Sequence, residues 1–211
     1  KWLKICLKNL IIMNKNIFVA CDVSSQKEIL ELLQKIHEDI AGIKIGLQYI
    51  TKHSPEDIKE LAKFKKPIFY DAKFFDIKNT LIESIKSLKD LNIDYATIHL
   101  LNGYEALESA NKIANDINIK LLGVSVLTSF DNDELNKLGF KDQVEKQVLR
   151  LVKIADRANL YGVICSPLEI RIIKEIAPKL KCFTPGIRQN KIKNDQKRTM
   201  TAKQALDAGS D

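Results

Sequence analysis

The chain has 211 residues, 45% hydrophobic and 29% charged, with 34 Lys and Arg against 27 Asp and Glu for a net charge of +7. These proportions fit a soluble globular protein of one large domain or two small ones, and the recurring apolar runs exclude a mainly disordered chain. Lysines interrupt every apolar run before the ~20 residues of a membrane span, and no arginine-rich tract or aromatic–basic interleaving accompanies the charge, so neither a membrane nor a nucleic acid is an expected partner.

In chain order, residues 1–12 (KWLKICLKNLII) come before Met13, where MNKNIFVACD reads as a natural start. They lack the clean apolar stretch and small-residue cleavage site of a signal peptide. They read as a doubtful N-terminal extension, which leaves 13–211 as a single domain. Seven short β-rich runs follow: Ile17–Cys21, Gly42–Ile45, Pro67–Tyr70, Tyr95–His99, Lys120–Val126, Gly162–Cys165 and Lys181–Thr184. Each is apolar on both faces, as the strands of a parallel sheet covered by helices must be. Amphipathic segments separate them. Gln26–Ile36 has Ser24 or Ser25 as its N-cap, and Ser54-Pro55 opens a second helix. Asp76–Leu91, Gly103–Asn115, Gln143–Ala158 and Pro167–Ile176 follow, and Thr201–Ala208 ends at Gly209.

Repeated βα units predict either a doubly wound sheet or a (β/α)8 barrel. No G-x-G-x-x-G follows the first strand, which weighs against a dinucleotide fold. Polar residues collect at strand C-terminal ends: Asp22, Lys44, Asp71, Lys73, His99, Thr128 and Arg188. A barrel gathers such ends in one mouth, where its active site lies. Cys6, Cys21, Cys165 and Cys182 form no C-x-x-C pair and have no His at ligand spacing, so no structural zinc is expected. They read as free thiols of a reducing cytoplasm. His99 reads as part of the mouth wall, and His37 and His53 as surface residues.

The densest polar cluster is Asp71-Ala72-Lys73-Phe74-Phe75-Asp76-Ile77-Lys78-Asn79-Thr80. Asp71 and Lys73, two apart at a strand end, share one side of the pleat; Asp76 and Thr80, four apart at a helix start, share one helical face. Lys44 stands inside the apolar strand Ile43-Lys44-Ile45-Gly46, where an ammonium is costly unless a carboxylate pairs with it. An alternating Lys–Asp–Lys–Asp array satisfies all four charges at once.

The run D-x-K-x-x-D-I-x-x-T resembles the signature of the orotidine 5′-monophosphate decarboxylase family. The resemblance extends through Asp22, Lys44, Val126-Leu127-Thr128-Ser129, Asp142 to Leu151, and Gly162 to Ser166. It continues through Thr184-Pro185-Gly186-Ile187-Arg188, Asp195-Gln196-Lys197-Arg198 and Thr201-x-x-Gln204-Ala205, covering about residues 17–211. It implies a TIM-type (β/α)8 barrel that decarboxylates orotidine 5′-phosphate to UMP in pyrimidine synthesis, with no cofactor and no metal.

By that resemblance Lys73 is the cation beside C6 and its proton donor, while Asp71 orients Lys73. Lys44 and Asp76 extend the array. Asp22 binds ribose, Thr128 the pyrimidine edge, and Arg188 and Gln196 the 5′-phosphate under a basic lid, Gln189–Arg198. Asp76 and Thr80 complete the site of the partner subunit in a homodimer. The family continues past A-G-x-D into an eighth strand, so the chain reads as a barrel truncated after its seventh βα unit, either a fragment or a shortened gene product. Two alternatives stand beside this: a non-catalytic remnant of the same family, and a Mg²⁺-dependent sugar-phosphate decarboxylase or aldolase. The latter enzymes carry an acidic residue where Lys44 stands.

Overall fold

The computed structural model describes residues 16–23, 25–187 and 200–211. Residues 1–12, Cys6 and Ser24 lie outside them. In chain order the elements are β1 (Phe18–Ala20), α1 (Gln26–Ile36), β2 (Gly42–Gly46), α2 (Leu47–Lys52), α3 (Pro55–Leu61), β3 (Ile68–Phe74), α4 (Lys78–Lys86) and β4 (Tyr95–His99). Then come α5 (Tyr104–Asp116), β5 (Lys120–Val124), α6 (Asn132–Lys137), α7 (Val144–Arg157), β6 (Gly162–Ile164), α8 (Ile170–Ile176), β7 (Lys181–Phe183) and α9 (Ala202–Asp207). The seven strands form one parallel sheet in sequence order, so every strand C-terminus lies at the same end. This is the α/β architecture of a TIM-type barrel. No helix among the described residues is long and apolar enough to cross a membrane.

Local sequence explains most boundaries. Ser25 caps α1 by accepting the Glu28 N–H. Ser54 and Asp57 form a reciprocal capping box on α3 with Pro55 in its first turn, and Thr201 with Gln204 does the same for α9. The expected helix Asp76–Leu91 is shorter. It starts at Lys78 and ends at Lys86, and the remainder is a 3₁₀ turn over Lys89–Leu91 stopped by Asn92 at φ 53°. Ser87 bonds back to the Glu83 carbonyl at 2.8 Å, a contact that competes with continued helix. Two helices, α2 and α6, carry no sustained apolar period. Only the N-cap bond of Asp131 to the Glu134 N–H announces α6.

The sheet is rolled. Phe18 of β1 packs against Phe69 of β3, Tyr95 of β4 and Phe183 of β7, with ring centroids 5.7, 5.5 and 6.0 Å away. β1 and β7 are the two ends of the strand order, so rings from both can meet only if the sheet curls into a barrel. Phe18, Phe69 and Tyr95 come from the N-terminal ends of their strands and Phe183 from the end of β7, and together the rings form a layer of side chains of the kind that fills such folds. A second apolar layer joins strand residues such as Ile43, Ile98 and Leu121 to buried helix residues including Leu33, Leu107 and Val148.

The outer edge of β7 is covered at Cys182. The Asp211 N–H donates to the Cys182 carbonyl at 3.0 Å, and the Asp211 carboxylate accepts the Cys182 N–H at 2.9 Å. Lys174 and Lys181 reach the same carboxylate at 2.7 and 2.8 Å. This contact leaves that part of the edge unavailable for pairing with another chain. Cys21, Cys165 and Cys182 are free and buried. His53 is not a surface residue: its side chain is 9% exposed and stacks on the Tyr49 ring at 4.3 Å.

Gly42 lies beneath the aromatic plug. A Cβ there would sit 2.3 Å from the Phe18 ring and 2.7 Å from the Pro67 carbonyl oxygen, and the second neighbour is backbone. Gly42→Ala is therefore expected to destabilise the fold by about 1–3 kcal/mol, read as a lowered urea midpoint at unchanged m-value.

Candidate active site

The mouth of the barrel is built from the ends of β1, β2 and β3. Gly46 of β2 is in register with Asp71 of β3. A Cβ on Gly46 would stand 3.1 Å from Asp22 Oδ1 and 3.6 Å from Lys44 Nζ, so the missing side chain leaves room for both groups at the mouth. Lys44 Nζ meets Asp71 Oδ2 at 2.7 Å, and Lys73 Nζ meets Asp71 Oδ1 at 2.8 Å. Asp71 is buried, 7% exposed. Burial alone would raise its pKa, but the Lys44 and Lys73 ammonium groups outweigh that and hold the carboxyl below its ordinary value.

The pleat expected to align Asp71 with Lys73 is interrupted. Lys73 has φ 51°, and the β3–β4 register shifts between Tyr70 and Phe74. The two side chains meet because of this bulge rather than through regular alternation. Two residues of β4 and its following turn hold the bulge, and neither was singled out from sequence. The buried Thr97 hydroxyl accepts the Lys73 backbone N–H at 2.8 Å and donates to Asp71 Oδ1 at 3.0 Å. Asn102 donates to the Phe74 and His99 carbonyls at 3.0 and 2.7 Å. The available signal was a polar residue, Thr97, inside the apolar strand Tyr95–His99. At its end His99 is half-buried, and its Nδ1 accepts the Leu101 N–H. Burial and, secondarily, Lys73 lower the imidazole's pKa, so its neutral form is favoured.

Asp76 does not join the array within this chain. It lies just before the cap of α4, outside the helix. Its backbone N–H donates to Asn102 Oδ1 at 3.1 Å, and its Oδ1 accepts the Ile77 N–H at 2.7 Å. Thr80 is inside the first turn of α4, so the two do not share a helical face as expected. Both are exposed, beside Phe75 and Ile77, which are 62% and 74% exposed. Asp22 is exposed after β1. Thr128 is half-buried in a turn after β5, closed by the Phe130 N–H on the Leu127 carbonyl at 2.9 Å. Arg188, Gln196 and the expected lid Gln189–Arg198 lie outside the described residues. Their described flanks, Ile187 and Met200, pair with each other.

Among the described residues the array sets two ammonium groups against one carboxylate. Both Asp71 oxygens are engaged by ammonium groups, so they are poorly placed to coordinate a divalent cation. Among the described residues no cluster of three or more His, Cys, Asp or Glu has metal-ligand proximity.

Because the folded-state pKa of Asp71 is depressed, its stabilisation is complete above the unfolded carboxyl's value of about 4. It is lost as the pH falls through the lower folded value. Asp71→Asn is expected to cost about 1–3 kcal/mol at neutral pH by leaving two half-buried cations without their carboxylate. It should also flatten the acid side of the stability curve, measured by urea unfolding between about pH 2 and 7.

Comparison with known proteins shows the family to which the chain belongs. The family model for orotidine 5′-phosphate decarboxylase / HUMPS matches residues 15–211. A protein of Wolbachia pipientis subsp. Culex pipiens named orotidine 5′-phosphate decarboxylase is 37% identical over 196 residues, 92% of this chain and 87% of that protein. One of that name from Pseudoalteromonas translucida is 36% identical over 203 residues, 94% of this chain and 87% of its own length. The crystal structure of orotidine 5′-phosphate decarboxylase from Lactobacillus acidophilus superposes with a TM-score of 0.80 at 31% identity, covering 93% of this chain and 87% of that one. The Methanocaldococcus jannaschii orotidine 5′-monophosphate decarboxylase, solved with the inhibitor BMP, shares the fold at a TM-score of 0.74 and 21% identity, over 92% of this chain and 84% of that one. A family model matching residues 15–211, with relatives 36–37% identical over more than nine-tenths of the chain, makes the chain a member of the orotidine 5′-phosphate decarboxylase / HUMPS family.

Proposed function

We propose that this chain decarboxylates orotidine 5′-phosphate to UMP and CO₂ without a cofactor. The observation that carries the reading is the Lys44–Asp71–Lys73 array, with both ion pairs under 3 Å. Loss of CO₂ from C6 breaks the C6–carboxylate bond and leaves its electron pair in the ring plane, where the π-system cannot take it up. Stabilisation must then be electrostatic and preorganised. Lys73, a third exposed toward the mouth, is the cation for that pair and the donor of the proton that replaces CO₂. A localised carbanion attracts its ammonium more strongly than a delocalised carboxylate does, which is the differential binding catalysis requires. Asp71 holds Lys73 in place and repels the substrate carboxylate. Two such charges about 4 Å apart repel by roughly 4 kcal/mol at an effective dielectric of 20.

In this reading Asp22 takes the ribose hydroxyls, Thr128 the pyrimidine edge, and Arg188 and Gln196 the 5′-phosphate. Asp76 and Thr80 serve the neighbouring subunit of a homodimer. Their exposure beside Phe75 and Ile77 supports that role, since large apolar side chains with three-fifths or more of their area in solvent suit a surface that another chain covers. The metal-dependent reading of the same family is disfavoured by Lys44, whose ammonium occupies Asp71.

Following the loss of orotate absorbance with purified protein tests the reading, and no turnover would sink it. Turnover abolished by EDTA would favour the metal-dependent reading. Lys73→Ala is expected to reduce the rate by about 10³-fold or more with an unchanged circular dichroism spectrum. Mixing Lys73→Ala with Asp76→Ala should restore up to about a quarter of the activity, because a shared-site dimer then holds one intact site in each mixed pair. Restoration absent under subunit exchange refutes the role of Asp76 across the interface.

A further inference from the structure

Thr97 is fully buried on β4, beside the bulge of β3. Its hydroxyl is spent entirely on that bulge: it accepts the Lys73 backbone N–H at 2.8 Å and donates to Asp71 Oδ1 at 3.0 Å. The same Asp71 oxygen takes the Lys73 ammonium at 2.8 Å. One hydroxyl therefore closes a loop that contains the main chain of Lys73, its side chain, and the carboxylate between them.

The backbone explains why such a contact is needed. The β3–β4 ladder passes from Tyr70↔Ala96 directly to Phe74↔Ile98, so four steps of β3 run against two of β4. The extra residues have no ladder partner in β4, and Lys73 takes a left-handed φ of 51°. That conformation is unfavourable for a residue with a Cβ and persists only where surroundings impose it. A buried N–H left without an acceptor would add a desolvation penalty. The Thr97 hydroxyl supplies the acceptor that a regular strand would have found on a neighbouring carbonyl.

We propose that Thr97 is a positioning residue for the reaction. It fixes Lys73 in the left-handed conformation that aims its ammonium along Asp71, and it donates a further hydrogen bond to the same carboxylate oxygen. The consequence for turnover rests on the decarboxylase reading above; the consequence for Lys73 geometry does not.

Thr97→Val removes the hydroxyl with little change of shape, and Thr97→Ser retains it. Thr97→Val is expected to lower kcat by up to about 10²-fold with KM changed much less, while Thr97→Ser stays close to wild type. Loss of a hydrogen bond to the charged carboxylate should also move the acid limb of the kcat profile to higher pH in Thr97→Val and not in Thr97→Ser. A crystal structure of Thr97→Val should show Lys73 out of the left-handed region and its Nζ withdrawn from Asp71. Should Thr97→Val fail to fold, Thr97→Ala provides the same readouts. Wild-type kcat in the hydroxyl-free variant with Lys73 still at positive φ overturns the proposal. So do equal losses in Val and Ser variants with unshifted acid limbs. If the unaltered protein shows no turnover, the decarboxylase reading fails alone, and the Lys73 geometry in the variant structure still decides the role of Thr97.

Discussion

The buried carboxylate of Asp71 is the constraint on which the mouth of this barrel depends. A single carboxylate at 7% exposure would ordinarily be driven toward its neutral form. Two ammonium groups reverse that, and each ammonium in turn tolerates its own partial burial because the carboxylate is there. Removing Asp71 would strand both ammonium groups, whereas removing either lysine leaves the carboxylate with a single ammonium partner. Each of the three charges comes from a different place in the local geometry. Lys44 rises from within β2, Asp71 from β3, and Lys73 from a bulge two residues on that only a left-handed backbone can make.

The rolling of the sheet serves this arrangement from the other end of the strands. The rings of Phe18, Phe69 and Tyr95, from the N-terminal ends of their strands, pack with Phe183 inside the barrel, where parallel strands are apolar on both faces. With that end packed, polar groups are left toward the C-terminal ends, where Lys44, Asp71, Lys73 and Thr97 are joined by ion pairs and hydrogen bonds, Asp22 follows β1 and His99 ends β4. Position of charge and position of core are therefore two consequences of one parallel topology.

Much of this was legible in the sequence. Seven doubly apolar runs separated by amphipathic segments predict a helix-covered parallel sheet, doubly wound or closed into a barrel, and a lysine inside Ile43–Gly46 predicts a carboxylate partner. The Lys44–Asp71 contact answers that second expectation. What escaped was set by backbone conformation and by short elements. Lys73 at positive φ has no sequence marker, because glycine or asparagine would be the usual residue there. Thr97 reads as one more β-branched strand residue until its hydroxyl is seen to face the bulge. α2 and α6, at six residues each, are too short to show an apolar period. Asp76, expected both in a four-membered array and at the site of a partner subunit, bonds its own neighbour's N–H within this chain; spacing in a sequence does not fix where an exposed carboxylate points.

That last point bears on the charge balance of the proposed reaction. Within one chain the array holds two ammonium groups and one carboxylate, a surplus of one positive charge. A surplus cation favours the carboxylate-bearing ground state as well as the carbanion, and only the difference between them accelerates the chemical step. A second carboxylate near Lys44 and Lys73 would reduce the attraction for the substrate carboxylate while leaving Lys73 aimed at C6. Asp76, exposed beside Phe75 and Ile77, offers such a carboxylate from a neighbouring subunit under the proposed dimer. The reading thus joins two features that appear separate in a single chain: an ion array short of one negative charge, and an aspartate set on a solvent-facing apolar ledge at the rim of the same barrel mouth.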